Sequence, residues 1–184
     1  MRAMKVKDIM VPLAEYATVS AEATLYEAVM ALEEAQKRYT KDRYKHRAIL
    51  VYDDQERVVG KLSQLDVIRG LEKGYRTMGD LKALSHTGFS KDLIRSIMEK
   101  YSLWESPLES ICAKAVHIQV KEIMYIPTEG EYVDQDASLD EAIHRLVMGD
   151  HQSLLVTAGR EIVGILKLTD VFIQVCEAIK ACRI

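Results

Sequence analysis

The stretch KHRAILVYDDQERVVGKLSQLDVIRGL, Lys45 to Leu71, decides how the chain is read. Two short runs rich in β-branched residues, AILVY and RVVGKL, flank a polar Asp-Asp-Gln-Glu turn, the pattern of a hairpin. The second run ends at Ser63, with Asp66 three residues on, where a helical pattern begins. Much the same string returns as DHQSLLVTAGREIVGILKLTDVFIQV, Asp150 to Val175. Gly60 matches Gly164 and Asp66 matches Asp170, an offset of 104.

The duplication extends upstream. VKDIM at 6–10 matches VKEIM at 120–124, and EATLYEAVMAL at 22–32 matches DASLDEAIHRL at 136–146, an offset of 114. The first copy therefore carries about ten extra residues before its hairpin. Such a repeat is one supersecondary unit written twice. Each copy predicts an extended piece (Tyr16–Val19; Glu131–Asp134) and then a helix opened by Thr24/Glu27 or Ser138/Glu141. These are capping boxes, in which side chains satisfy the first unpaired N–H groups of a helix. Apolar residues from Leu25 to Tyr39 keep helical spacing, so the first helix is expected to reach about residue 42. Strands are expected at 48–52, 57–62, 153–157 and 161–166, and closing helices near Ser63 and Leu168. The fold class is α+β, with β-α-β-β-α in tandem.

Residues 75–116 stand between the copies. A short helix stopped by Gly88, a second capped by Ser90 and a third opened by Ser106 and Pro107 are expected there. Leu93, Ile94, Ile97, Met98 and Tyr101 share one face of the second. With Trp104 also present, this helical insert is too apolar for a loose linker. The domains are thus 1–74, the insert 75–117, and 118–184.

Composition narrows the function. The 184 residues are 48% hydrophobic and 29% charged, with net charge −3, as in ordinary globular proteins. No apolar run approaches the roughly 20 residues of a membrane helix. The first ten residues lack the apolar core of a signal peptide, so a cytoplasmic location is expected. Cys112, Cys176 and Cys182 form no C-x-x-C pair and read as thiols in a reducing compartment. The five histidines (46, 86, 117, 144, 151) show no metal-ligand spacing, and there is no Walker loop or G-x-G-x-x-G. The basic run Lys37 to Arg47 could hold an anion, but one short run on an acidic chain argues against nucleic acid as a partner.

Two tandem units opened by V-K-[DE]-I-M and closed by an apolar pair after glycine and then Asp66 or Asp170 resemble a pair of CBS (cystathionine-β-synthase) domains. The resemblance covers residues 5–73 and 118–184. It implies a regulatory module, not an enzyme, that binds an adenosine-containing ligand such as AMP, ADP, ATP or S-adenosylmethionine and usually forms a homodimer. It implies ribose contacts from Ser63 and Asp66, and a base slot along Val11, Pro12, Ala17, Thr18 and Val19. Counterparts in the second copy are Tyr125, Ile126, Glu131, Tyr132 and Val133. His46 and Arg47 are similar to the His-Arg pair of the γ regulatory subunit of AMP-activated protein kinase, where it meets phosphate. The plainer reading of Ser63 and Asp66 is a capping box, and both roles are compatible. The second copy keeps Asp170 but has Lys167 in place of Ser63, and His151 without its cationic neighbours. Lysine cannot accept a hydrogen bond from a ribose hydroxyl. Its long stem could fill the cleft, or its ammonium could meet a phosphate beside Asp170 and His151, so the two sites should differ, the first competent and the second degenerate or binding something different. A second hypothesis is a ligand-independent dimerisation scaffold whose insert contacts an effector protein.

Overall fold

The computed structural model describes residues 4–38, 47–72, 74–78, 90–103 and 110–182. The two hairpins form as the sequence pattern requires. Strand β3 (Ala48–Tyr52) pairs antiparallel with β4 (Val58–Ser63), from Ala48 opposite Ser63 to Tyr52 opposite Val58. Strand β6 (Ser153–Ala158) pairs with β7 (Glu161–Lys167), from Ser153 opposite Lys167 to Ala158 opposite Glu161. Both carry an irregularity at the same place, between Val51 and Tyr52 and between Val156 and Thr157. The turns differ. In the first, Asp53 Oδ1 accepts from the N–H groups of Gln55 and Arg57, both at 2.9 Å, and the Arg57 guanidinium grips Oδ2. In the second, Gly159 supplies a φ of 65°, which glycine adopts without strain.

The hairpins sit in two sheets. Strand β2 (Thr18–Ser20) lies beside β3 in a sheet of order β2-β3-β4. The other sheet has the order β1-β7-β6-β5, with β1 Val11–Pro12 and β5 Tyr132–Asp134. Helix α1 (Leu25–Arg38) starts at a complete capping box. The Thr24 N–H donates to Glu27 Oε2 at 2.7 Å, and the Glu27 N–H donates to Thr24 Oγ1 at 3.2 Å. Leu25, Ala28 and Leu32 are buried, whereas Val29, on the same predicted stripe, is 41% exposed. The expected extension of α1 to residue 42, past Tyr39, lies outside the described residues. Each hairpin runs directly into a helix, α2 (Gln64–Leu71) in the first copy.

Between the copies, the described residues of the insert hold α3 (Gly74–Thr77), α4 (Lys91–Lys100) and α5 (Ile111–Ala115). Ser90 caps α4 as its sequence requires, its Oγ accepting from the Leu93 N–H at 3.1 Å. Gly88, Trp104, Ser106 and Pro107 lie outside the described residues. A short α6 (Val120–Ile123) follows, then α7 (Leu139–Met148) and α8 (Leu168–Ala181). At α7 only half of the expected box is recorded. Ser138 Oγ accepts from the Glu141 N–H at 3.2 Å, but the Glu141 carboxylate turns to Arg145, one turn on, at 2.9 Å.

The structure departs from a simple reading of the repeat in how the V-K-[DE]-I-M openers are used. The first opener bonds to the second copy. The Val6 N–H donates to the Ala137 carbonyl (3.1 Å), Lys7 N–H to that of Gln135 (2.9 Å), and Leu139 N–H to that of Met4 (3.0 Å). The second opener does the same to the first copy, with Val120 N–H on Ala23 (2.9 Å), Lys121 N–H on Ala21 (3.0 Å), and Leu25 N–H on Ile118 (2.8 Å). Charges match as well. Lys7 reaches Asp136 at 2.8 Å, and Lys121 reaches Glu22 at 2.6 Å. Val6 and Val120 are both fully buried.

The repeated glycines follow from this exchange. Val11 and Pro12 pair with Ile165 and Gly164, and a Cβ on Gly164 would lie 2.6 Å from the Val11 carbonyl oxygen. Lys61 pairs with Tyr125, and a Cβ on Gly60 would meet Met124 Sδ at 2.8 Å and the Tyr125 carbonyl oxygen at 3.1 Å. At Gly164 only glycine leaves room for a backbone this close, whereas at Gly60 the nearest atom belongs to a side chain. The chain accordingly gathers into two compact units, one drawn from the ranges 1–18, 32–46 and 126–184 and the other from 19–31 and 47–125. In the first of these, Val6 of the opener packs with Val133, Ala142, Leu146, Leu154, Val156, Leu166 and Val171 in one buried cluster. Full burial of such a side chain contributes about 1.5–3 kcal/mol.

Candidate functional site

Ser63 closes strand β4 and caps α2. Its backbone is extended (φ −85°, ψ 164°), which aims its side chain at the helix start. Ser63 N–H donates to Asp66 Oδ2 at 2.9 Å, and Ser63 Oγ donates to the same oxygen at 2.6 Å. The Asp66 N–H donates back to Ser63 Oγ at 3.2 Å. The plain capping role is therefore real. It also orients the carboxylate. Both bonds fall on Oδ2, so among the described residues Oδ1 accepts none, and both side chains are only part-buried.

Arg47 joins them through the backbone. The N–H of Gln64, the residue after Ser63, donates to the Arg47 carbonyl at 3.1 Å. That bond fixes the entry to β3 beside the start of α2, and the Arg47 side chain is exposed there. On β4, side chains alternate between faces, so Lys61 and Ser63 share one and Gly60 and Leu62 the other. Leu62 is 1% exposed and belongs to the core, while Lys61 is part-exposed. The Lys61 ammonium lies 5.2 Å from the centre of the Tyr125 ring, a cation–π contact. Ser63, Asp66, Arg47, Lys61 and Tyr125 thus belong to one unit, with Arg47 and Ser63 at the open end of one hairpin and Tyr125 paired with Lys61.

His46 lies outside the described residues. Pro12 is held against Gly164 of β7 and, like the buried Ala17, belongs to the unit that contains the second hairpin. Thr18 and Val19 are in β2, the first exposed and the second part-buried. His151 packs over the turn before β6, where a Cβ on Gly149 would come within 2.0 Å of its Nε2.

The second hairpin repeats the backbone, not the chemistry. The Leu168 N–H donates to the Gln152 carbonyl at 3.0 Å, the equivalent of the Gln64–Arg47 bond. Lys167 takes the capping position without a side-chain cap bond. Its ammonium pairs with Asp170 Oδ2 at 3.3 Å. Lys167 is 5% exposed and Asp170 7%. Glu131, just before β5, is 1% exposed and accepts from the Thr128 N–H at 3.2 Å. Burial and the neighbouring Glu131 carboxylate raise the phenol of Tyr132 above its usual range. Sequence reasoning placed Lys167 opposite Ser63 but missed the burial of Glu131. A glutamate preceding a short strand carries no signal of being covered.

With two sheet-and-helix repeats closed by this hairpin-to-helix turn, the molecule is a tandem α+β fold. A model of the CBS domain matches residues 6–73 and 120–176, and the chain belongs to that family. Solved structures share the fold. One is a CBS domain-containing protein of unknown function from Bacillus anthracis str. Ames Ancestor, 16% identical, TM-score 0.61, covering 95% of this chain and 94% of that one. Another is CBSX2 in complex with AMP, 20% identical, TM-score 0.55, covering 96% and 98%; CBSX2 is from Arabidopsis thaliana. A third is the CBS domain of a bacterial CNNM/CorC family Mg2+ transporter in complex with ATP, 14% identical, TM-score 0.58, covering 94% and 87%. No curated protein matches the sequence. No helix among the described residues is long and apolar enough to cross a membrane.

Proposed function

We propose that this chain is a regulatory module that binds an adenine nucleotide (AMP, ADP or ATP) through its first hairpin and acts on a separate partner protein. The observation that carries the reading is the Ser63–Asp66 pair, with Oδ2 held by the cap and Oδ1 turned to no described donor. A carboxylate fixed at a helix start suits the two hydroxyls of a ribose, and charge-assisted bonds of this kind are the stronger ones. Arg47 supplies a planar cation for phosphate on the same hairpin end. His46 would add to it, as the likeness to the kinase γ subunit implies. The backbone pairing of Lys61 with Tyr125 supports a base side that includes Val19 and Tyr125. The two solved structures that hold AMP and ATP support the ligand class. The role is binding and signalling rather than catalysis. Signalling requires the nucleotide to prefer one conformation over another.

Calorimetric titration of ligand-stripped protein with AMP, ADP and ATP tests the proposal. One of them should bind saturably, and Asp66→Ala should weaken it about 100-fold or more, the loss of two bonds to a charged group. Equal binding by wild type and a folded Asp66→Ala would refute the site.

One observation favours a second reading, a ligand-independent dimerisation or docking scaffold. Leu93, Ile94 and Met98 on α4 are 41%, 45% and 43% exposed. If this face holds a second copy, Leu93→Glu with Met98→Glu should halve the mass measured by light scattering and leave nucleotide affinity unchanged.

A further inference from the structure

We infer that the second hairpin is a nucleotide site closed from within, with the Lys167 ammonium seated on the carboxylate that would otherwise take the ribose. The inference rests on the reading of Ser63 and Asp66 as ribose ligands, and extends it to stoichiometry: one nucleotide per chain. Three observations carry it.

The first is backbone equivalence. Ser153 opposite Lys167 reproduces Ala48 opposite Ser63, the irregularity recurs, and the helix's first N–H bonds to the carbonyl ahead of the inner strand in both copies. Asp170 therefore stands where Asp66 stands.

The second is occupancy. Asp66 is part-buried and shares its carboxylate with a small hydroxyl. Asp170 is 7% exposed, and the ammonium-bearing Lys167 3.3 Å from it is 5% exposed. A ligand would have to displace an ammonium already paired in a dry environment, where breaking an ion pair is costly. The strand below offers no polar alternative, since Ile165 and Leu166 are fully buried.

The third is charge. Tyr132 pairs with Leu155 and Ser153 with Lys167, so Glu131 and Lys167 flank the same end of β6. That end holds two buried carboxylates, Glu131 and Asp170, and one buried ammonium. The first hairpin end presents one carboxylate, Asp66, with two cations, Arg47 and Lys61. Phosphates are drawn to the one and repelled by the other.

Lys167→Ser would rebuild the serine–aspartate cap of the first copy and leave Asp170 with a partner. Titration with ATP should give one site per chain in wild type and two in Lys167→Ser. In Asp66→Ala/Lys167→Ser it should again give one, abolished by adding Asp170→Ala. The inference is overturned if wild type already takes two nucleotides, one of them lost in Asp170→Ala, or if a folded Lys167→Ser gains no site. A wild type that binds nothing, beside a Lys167→Ser protein that gains an Asp170-dependent site, would sink the first-copy reading and keep this one. If Lys167→Ser does not fold, amine acylation of wild type read by mass spectrometry decides. Lys167 should stay unmodified with and without ATP. Modification of Lys167 in the free protein that ATP suppresses would show an open site.

Discussion

The hairpin ending at Ser63 and the hairpin ending at Lys167 share register, irregularity and the bond that turns strand into helix. They differ in what they do with the charge on the following aspartate. In one, a hydroxyl orients it and leaves it half in water. In the other, an ammonium neutralises it in the protein interior. A single side chain at one position, serine or lysine, separates a part-buried carboxylate capped by a hydroxyl from a buried one paired with an ammonium. Fold and site are therefore specified by different residues. The glycines and apolar strands set the frame, and the capping position sets the partner of the aspartate.

That equivalence can be broken at the core first. Leu62 and Leu166 occupy matching positions, 1% and 0% exposed. Leu62→Ala and Leu166→Ala should each lower stability by about 2–5 kcal/mol in urea denaturation, the usual cost of a core truncation. A much smaller loss at one would show that the two hairpins are not equally packed.

The glycines should separate the copies more sharply. At Gly164 an added Cβ meets backbone, the Val11 carbonyl oxygen at 2.6 Å, whereas at Gly60 the nearest atom is the flexible Met124 side chain. Gly164→Ala should therefore destabilise by about 1–3 kcal/mol, as overpacking does, and Gly60→Ala by less. Equal thermal shifts would remove the distinction.

The cap comes next. Ser63→Ala should cost about 1 kcal/mol, because it removes a helix cap. Lys167→Ala, by contrast, removes the ammonium paired with a buried carboxylate and should cost more. Thermal melts of the two proteins, side by side, give the order.

The smallest effect is expected at the opener. Lys7 and Lys5 hold the exposed Asp136 carboxyl below its usual range. A pKa lower in the folded than in the unfolded chain means stability that is present above the ordinary carboxylate range and lost as pH falls through the folded value. Wild type and Asp136→Asn should thus differ slightly at neutral pH and converge in acid. A gap that persists in acid would assign the effect to packing instead.

Much of the fold was legible because its signals are local. The ends of the four hairpin strands fell within about a residue of the expected ones, since β-branched runs end at polar turns, whereas the extended piece expected at Tyr16–Val19 is β2 at Thr18–Ser20. Thr24/Glu27 and Ser63/Asp66 formed complete boxes as their spacing requires. Ser138/Glu141 formed only half, because Arg145 competes for the carboxylate, and spacing alone cannot rank two acceptable partners for Glu141. The opener exchange was not legible. VKDIM precedes the first copy in sequence, and nothing within those five residues says that it bonds to residues 135–139. The traces it leaves are distant: Asp136 for Lys5 and Lys7, Glu22 for Lys121, and a glycine in each β-strand where a foreign backbone passes. At the site, the substitution of Lys167 for Ser63 was visible. That Lys167 would be buried was not, because burial of a long cation depends on the carboxylate it meets.

The exchange of openers has a consequence for how such a chain can change over generations. What was duplicated is a contiguous segment, but what folds is a patchwork of both duplicates. A substitution near Val6 is judged by the surroundings of Val133 and Leu154, not by those of its own copy. The two copies are thus free to diverge at their capping positions, where Ser63 and Lys167 already have, and bound to drift together at their first ten residues.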